Sequence, residues 1–306
     1  MTQKNTENNR IAIWLQQIRA PFLILSVALS LIGIAAAHRD GFTHWGRAAL
    51  LTLGVILSHI GVNLFNELSD YKTGIDAHTE RTPFSGGSGM MQAGQTTPGA
   101  VKVAAYGALF LASLIGLYFC LVSTWTILIF MIIGGLTARF YTSHLANWLI
   151  GEFMSGLTLG TFVVLGVYLA MTGTLHWGIA WVSIPPGILT SLLLFLNEFP
   201  DEKADRAGGR HHLIIHFGKA KSARIYVLCL VATYLIILLG PFMLDIPYPT
   251  LLALLTLPVA MKAGLTALEY HSDMPRLAPA LGMNVMTVIG TDLLLAVGFF
   301  LAGPKG

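Results

Sequence analysis

Nine stretches of roughly 20 predominantly apolar residues recur along this chain, at residues 22–37, 46–65, 99–122, 125–141, 148–171, 177–196, 223–244, 251–268 and 278–301. Runs of that length leave few folds open. In hydrocarbon each backbone N–H and C=O must be satisfied without water, which restricts spanning structures to helices and closed barrels. Their length is that of a spanning helix, and they predict an all-α polytopic membrane bundle of nine transmembrane helices. The composition agrees: 55% of the 306 residues are apolar and 11% charged, outside the range of soluble domains. The intervening connections are too short to hold a soluble unit, and residues 1–306 read as a single transmembrane domain.

Charge orients the bundle. With the amino terminus in the cytoplasm, all of the 18 Lys and Arg residues except Arg39, Arg47 and Lys305 fall on the inner side, a strong positive-inside bias. These cations are dispersed among loops without a long basic run. They describe a collar against the inner leaflet, with the lipid bilayer as partner and no nucleic acid. Residues 1–10 are polar and expected to fray, and residues 11–17 suit a short amphipathic lead-in along the interface. Cys120 and Cys229 fall within apolar runs and read as packing residues.

More than half of the 15 acidic residues crowd into two short segments, 67–80 and 198–205, each where an apolar run meets water. On a helix Asn66 and Asp70 share a face as i and i+4, with Asn63 one turn deeper. Gly74 is expected to end that helix and let Asp76 turn back. Asn197, Asp201 and Asp205 form a second stripe, with a kink expected at Pro200. The two stripes make a weak internal repeat. Amide and carboxylate oxygens are the donors that Mg2+ takes while keeping waters and a substrate phosphate. Facing stripes could therefore hold two or three Mg2+ ions with a diphosphate between them. A solvated rim, or the acids of a cation or organic-anion transporter, would also place carboxylates near spans. Depth separates these readings, because only Asp292 and His59 lie deep.

The spacing Asn66-x3-Asp70-x5-Asp76 and Asn197-x3-Asp201-x3-Asp205, the nine spans and the inward-facing site together resemble the UbiA superfamily of intramembrane prenyltransferases over nearly the whole chain. Tyr71-Lys-Thr-Gly74, Ser85-Gly-Gly-Ser-Gly89 and Gly151-Glu152 are most similar to the branch that prenylates 1,4-dihydroxy-2-naphthoate in menaquinone synthesis. The resemblance implies a Mg2+-dependent transferase in a bacterial or archaeal cell membrane, with its site on the cytoplasmic face. Its substrates would be a prenyl diphosphate and an aromatic acceptor, joined through an allylic cation. The implied metal ligands are Asn66, Asp70, Asp76, Asn197, Asp201 and Asp205, with Asp70 and Asp201 central to catalysis. Arg19 matches a basic residue near the diphosphate in that family. Lys72, Arg81, Arg206 and Arg210 flank the stripes and offer further phosphate contacts beside Asn66 and Asn197. Tyr141 can face the cation with its ring. Another acceptor, such as 4-hydroxybenzoate, a tetrapyrrole, a carotenoid or a lipid headgroup, and a terpene cyclase that uses none, stay open, as do prenyl length and oligomeric state.

Other features have local readings. Glu152 favours the start of its helix electrostatically, and Asp292 is expected to be protonated or hydrogen-bonded within the bundle. Residues 142–148 carry no Lys or Arg, and His211, His212 and His216 stand where relatives commonly carry Arg. His212 and His216 are i, i+4, but no third well-spaced metal ligand lies near them in sequence. The apolar interior suits an isoprenoid tail, with the small residues Gly61, Gly156 and Gly160 as the positions expected to border it.

Overall fold

A computed structural model describes residues 2–74, 86–140 and 149–305. Every regular element among them is helical. In chain order these are α1 (Thr2–Gln17), α2 (Ala20–Arg39, opening with a 3-10 turn), α3 (Trp45–Thr73), α4 (Pro98–Val122), α5 (Ile127–Phe140), α6 (Gly151–Thr172), α7 (Trp177–Ala207), α8 (Leu213–Phe217), α9 (Lys219–Met243), α10 (Tyr248–Tyr270, 3-10 at its start) and α11 (Met274–Ala302). Helix α1 extends back to Thr2, where fraying was expected.

Eight of these helices are long and apolar enough to cross a membrane. The remaining apolar window corresponds to α5, which has 14 residues, about 21 Å at the helical rise. Its surroundings show what it accomplishes. Ser123, just after α4, donates to the Leu169 carbonyl near the end of α6, whereas Glu152 at the start of α6 accepts from Leu213 at the other end of the bundle. The chain must therefore traverse the bundle between α4 and α6, and α5 runs in that interval. Eight long helices and one short one fit the nine windows of the sequence.

Local chemistry accounts for several helix boundaries. Thr97 caps α4 by accepting from the Ala100 N–H at 3.2 Å, with Pro98 in the first turn, where its missing N–H costs nothing. Gly74 ends α3 with φ 73°, a left-handed geometry open to glycine. Helix α7 continues through Pro185, Pro186 and Pro200 to Ala207, so Pro200 does not end the helix that carries the second acidic stripe. Its ring removes one N–H and leaves the Leu196 carbonyl without its usual helical donor.

The main core joins α2, α6, α7, α9 and α11 through residues such as Leu29, Ile32, Leu189, Leu196, Phe199 and Tyr226, all at 2% exposure or less. Helix α3 packs chiefly on α4, and α11 packs between α2 and α10. Helices α6 and α7 approach closely. A Cβ on Gly156 would lie 2.4 Å from the Gly187 carbonyl oxygen, and one on Gly160 would lie 2.6 Å from the Gly187 Cα. A Cβ on Gly61 would meet Leu109 at 2.6 Å. These glycines serve helix contacts, correcting the expectation that they border an open interior. The segment Gly156–Thr161 of α6 is π-helical, and its extra residue per turn shifts the side chains that follow.

The two ends of the bundle differ in chemistry. At one end Lys305 contacts Asp40 and Asp245, each at 2.8 Å, and its N–H reaches the Arg39 carbonyl. Tyr168 donates to Asp40 at 2.6 Å, and His176 Nε2 lies 3.2 Å from the same carboxylate. At the opposite end both acidic stripes meet.

Candidate active site

Helix periodicity places Asn63, Asn66 and Asp70 along one line of α3, and Asn197, Asp201 and Asp205 along one line of α7. Packing then brings the lines together. The Arg210 guanidinium, just beyond α7, donates through Nη1 to Asp205 at 2.9 Å and through Nη2 to Asp70. A residue of the polar loop thus ties the two stripes, and its fork of donors offsets repulsion between carboxylates. Asp205 is 2% exposed, whereas Asp70 and Arg210 keep about a fifth of their side-chain surface open, at 19% and 22%.

A cavity of about 390 Å³ opens beside this junction. Its wall is mostly apolar, with Leu25, Val55, Phe119, Phe130, Met131 and Phe162 among the lining side chains, while Arg19, Asn63, Asn66 and Asn197 are the polar residues that line it nearest the acidic stripes. Asn66 Oδ1 and Asn197 Oδ1 are buried and accept no hydrogen bond among the described residues; so is the Thr190 hydroxyl, farther along α7 in the same wall. Buried acceptors without a donor are costly. A cation between the two amides would satisfy both, and amide oxygens suit Mg2+ in particular.

Arg19 lies at this polar end with left-handed backbone, φ 55° and ψ 49°, its guanidinium 5.0 Å from the Phe22 ring centre. Asn63 anchors the same turn by donating to the Ile18 carbonyl at 3.0 Å. The structure therefore gathers Arg19, Asn66 and Asn197 at one cavity and joins Asp70, Asp205 and Arg210 beside it, with Asp201 on the α7 turn between Asn197 and Asp205. Lys72 and Arg206 are exposed and do not line the cavity, and Arg206 pairs with Glu202 at 3.0 Å. Asp76, Arg81 and Tyr141 lie outside the described residues.

Two networks were not foreseen from sequence. Glu67, 2% exposed, accepts from the Ser88 N–H at 2.8 Å, the Ser88 hydroxyl at 2.5 Å and Gln17 Nε2 at 3.2 Å, while Thr96 donates to Gln17 Oε1 at 2.5 Å. These bonds fasten the glycine-rich segment and α1 to α3, next to Asn66. The only sequence signal was a carboxylate inside an apolar face. The second network surrounds His212, which is 3% exposed and lies 3.3 Å from Asp205 and 3.6 Å from Glu198. Glu152 joins it from α6, where it accepts from the Leu213 N–H at 2.8 Å. His211 and His216 remain exposed. Burial among carboxylates is the opposite of what a phosphate-facing histidine needs.

Comparison with known proteins places this architecture. The chain is 28% identical to the 1,4-dihydroxy-2-naphthoate octaprenyltransferase of Escherichia coli over 96% of its length and 97% of that protein's. It is 24% identical to the 2-carboxy-1,4-naphthoquinone phytyltransferase of Synechocystis, covering 95% and 94% of the two chains. Its fold matches the structure of a UbiA homolog from Archaeoglobus fulgidus bound to GPP and Mg2+, with a TM-score of 0.61 at 11% identity, covering 92% of this chain and 99% of that one. Residues 26–287 match the UbiA prenyltransferase family, most of the helical bundle and both acidic stripes, and the chain belongs to that family as a multi-pass membrane prenyltransferase.

Proposed function

We propose that this enzyme transfers a polyprenyl group from a prenyl diphosphate to a 1,4-dihydroxy-2-naphthoate-like aromatic acceptor within the bilayer. One observation carries the reading most directly: an apolar cavity of about 390 Å³ whose polar part presents the unpartnered Asn66 and Asn197 oxygens beside the Asp70–Arg210–Asp205 junction. An isoprenoid and its diphosphate need that division into apolar interior and charged mouth. The relatives named for naphthoate or naphthoquinone substrates support the acceptor class, and the fold match to a protein holding GPP and Mg2+ supports the donor class.

The donor set fits Mg2+: Asn66, Asp70, Asn197, Asp201 and Asp205 offer oxygens, to which Asp76 would add another. When bound there, Mg2+ withdraws charge from the diphosphate and stabilises it as a leaving group. Arg19 and Arg210 add fixed positive charge for the phosphate oxygens. As the C1–O bond breaks, its electron pair leaves with the diphosphate, and the allylic cation remains in the cavity. The apolar wall excludes water that would otherwise capture that cation, and Tyr141, outside the described residues, would add a ring face if it turns toward the cavity. A ring carbon of the acceptor then bonds C1. It loses a proton, or carbon dioxide if it bears a carboxylate.

The whole chain, residues 1–306, works as one domain in this reading, with the site at the cytoplasmic face of a bacterial or archaeal membrane. Arg39 and Lys305, two of the three cations assigned outside, share the end of the bundle opposite the two acidic stripes, in keeping with the positive-inside orientation. Incubation of purified protein with labelled prenyl diphosphates, Mg2+ and a panel of aromatic acceptors tests the proposal. Prenylated naphthoate with release of diphosphate is the expected result. Diphosphate release that no acceptor accelerates would replace it with a cyclase reading.

A further inference from the structure

Glu152 at the start of α6, Glu198 in the last turns of α7 and His212 before α8 each direct a ligand-type atom to one point, the atoms all lying within 4.8 Å of one another. Glu152 and His212 are buried at 2% and 3% exposure. Glu152 Oε1 accepts from the Leu213 N–H at 2.8 Å, but Glu152 Oε2 and Glu198 Oε2 have no hydrogen-bond partner among the described residues, and neither His212 ring nitrogen forms a hydrogen bond. The histidine's two ion-pair contacts, Nδ1 at 3.6 Å from Glu198 Oε2 and Nε2 at 3.3 Å from Asp205 Oδ2, lie beyond good hydrogen-bond distance. The Glu152 and Glu198 carboxyl groups lie close enough either to share a proton in a hydrogen bond or, both ionised, to repel each other until a cation enters between them. Three side chains that each offer one ligand atom to the same point, with unsatisfied buried atoms on all three, describe a vacant coordination shell better than they describe packing.

We propose that Glu152, Glu198 and His212 bind a divalent transition ion of the zinc class, in a second centre that adjoins the oxygen-lined Mg2+ site and touches it through Asp205. An imidazole nitrogen among the ligands selects against Mg2+, which prefers oxygen donors, and for Zn2+ and its neighbours. Tetrahedral Zn2+ with bonds near 2 Å places its ligand atoms about 3.3 Å apart; the Nδ1 to Glu198 distance of 3.6 Å is near that value, and the three atoms, now within 4.8 Å of one another, would draw together on binding. The supporting shell is built. Leu213 orients Glu152, and with Nδ1 on the ion the remaining His212 nitrogen faces the Asp205 carboxylate, an arrangement that fixes ring orientation and raises ligand basicity. Two carboxylates balance a dication, and a fourth position is left for water. The ion would join α6, α7 and the segment before α8, the segment that delivers Arg210 to the two acidic stripes. Sequence alone offered His212 without a third ligand; the fold supplies two.

The test uses full-length protein in detergent, stripped with chelator and titrated with Co2+ in excess Mg2+. We expect one equivalent of Co2+ with visible d–d absorption, displaced by Zn2+ but not by Mg2+, and a rise of several degrees in unfolding temperature on adding Zn2+. Asn66→Ala should retain this binding. Glu152→Gln and Glu198→Gln, close in shape to the native residues, should each weaken it at least 10-fold and lose the thermal response. Wild-type protein that binds neither Co2+ nor Zn2+ under these conditions would overturn the proposal and leave a proton shared between the glutamates, an outcome that requires no variant to fold. Binding unchanged in both glutamine variants would equally overturn it. Because the readouts are metal binding and unfolding, they are independent of whether the acceptor is a naphthoate.

Discussion

Arg210 donates to Asp70 across 140 residues of sequence, and the same guanidinium holds Asp205 at 2.9 Å. The contact unites the two acidic stripes through a residue that belongs to neither. In the proposed reaction Arg210 exchanges part of this pairing for phosphate oxygens. Arg210→Lys keeps the charge but loses the fork that reaches two carboxylates at once. Steady-state kinetics should show KM for the prenyl diphosphate raised about 10-fold or more, matching the ~1.5–3 kcal/mol of a hydrogen bond to a charged group. An unchanged KM would assign Arg210 to structure alone.

Asp70→Ala and Asp201→Ala should each reduce turnover by at least about 100-fold, with the protein still monodisperse in detergent. Chelation with EDTA should reproduce the loss, and added Mg2+ should reverse it. Asn66→Ala and Asn197→Ala should shift the Mg2+ dependence to higher concentration. Full activity of either Asp variant, or of the metal-free enzyme, would contradict a shared metal site.

Cavity shape should select tail length. Gly134 and Gly166 line the cavity, and a Cβ at either position would meet no heavy atom within 4 Å. Leu at these sites projects into open space, whereas a side chain at Gly156 or Gly160 would strike α7. Gly134→Leu and Gly166→Leu should therefore lower turnover with long prenyl diphosphates more than with short ones, leaving the Mg2+ dependence unchanged. Equal losses at all lengths in both variants would place the tail elsewhere.

The opposite end of the bundle should show its own pH dependence. Burial alone would raise the Asp40 carboxyl, but hydrogen bonds from Lys305, Tyr168 and His176, with the Lys305 charge, hold it below its ordinary 3.8. Lys305 donation likewise lowers Asp245. Burial opposes the Lys305 charge, yet the two carboxylates hold its pKa above 10.5. The carboxylate contribution is thus present above pH about 4 and lost as pH falls through the depressed values; the lysine contribution is lost only as pH rises through its raised value. Since these groups are partly exposed, Lys305→Met should lower the unfolding temperature by only about 2 °C at pH 7. Scanning calorimetry should show that difference disappear in strong acid. A gap that persists there would assign the effect to packing of the lysine stem.

Features written in consecutive residues were legible in the sequence. Apolar runs gave the helices, the i, i+4 spacing gave the stripes Asn66–Asp70 and Asn197–Asp201–Asp205, and Gly74 gave the end of α3, because each depends on local periodicity or backbone preference. The resemblance carried by those motifs led to the family. Tertiary packing decided the rest. Whether Arg210 meets Asp70, whether Glu152 and Glu198 converge on His212, and whether a glycine borders a cavity or a helix depend on how closely α6 approaches α7 and on which faces of α3 and α7 meet. Side-chain contacts fall off over a few ångströms, so these pairings are set by helix positions that no local pattern specifies. Asn66 and Asn197 show the division most directly: their spacing to the aspartates is written in the chain, but only the assembled bundle buries both amide oxygens in the wall of one cavity.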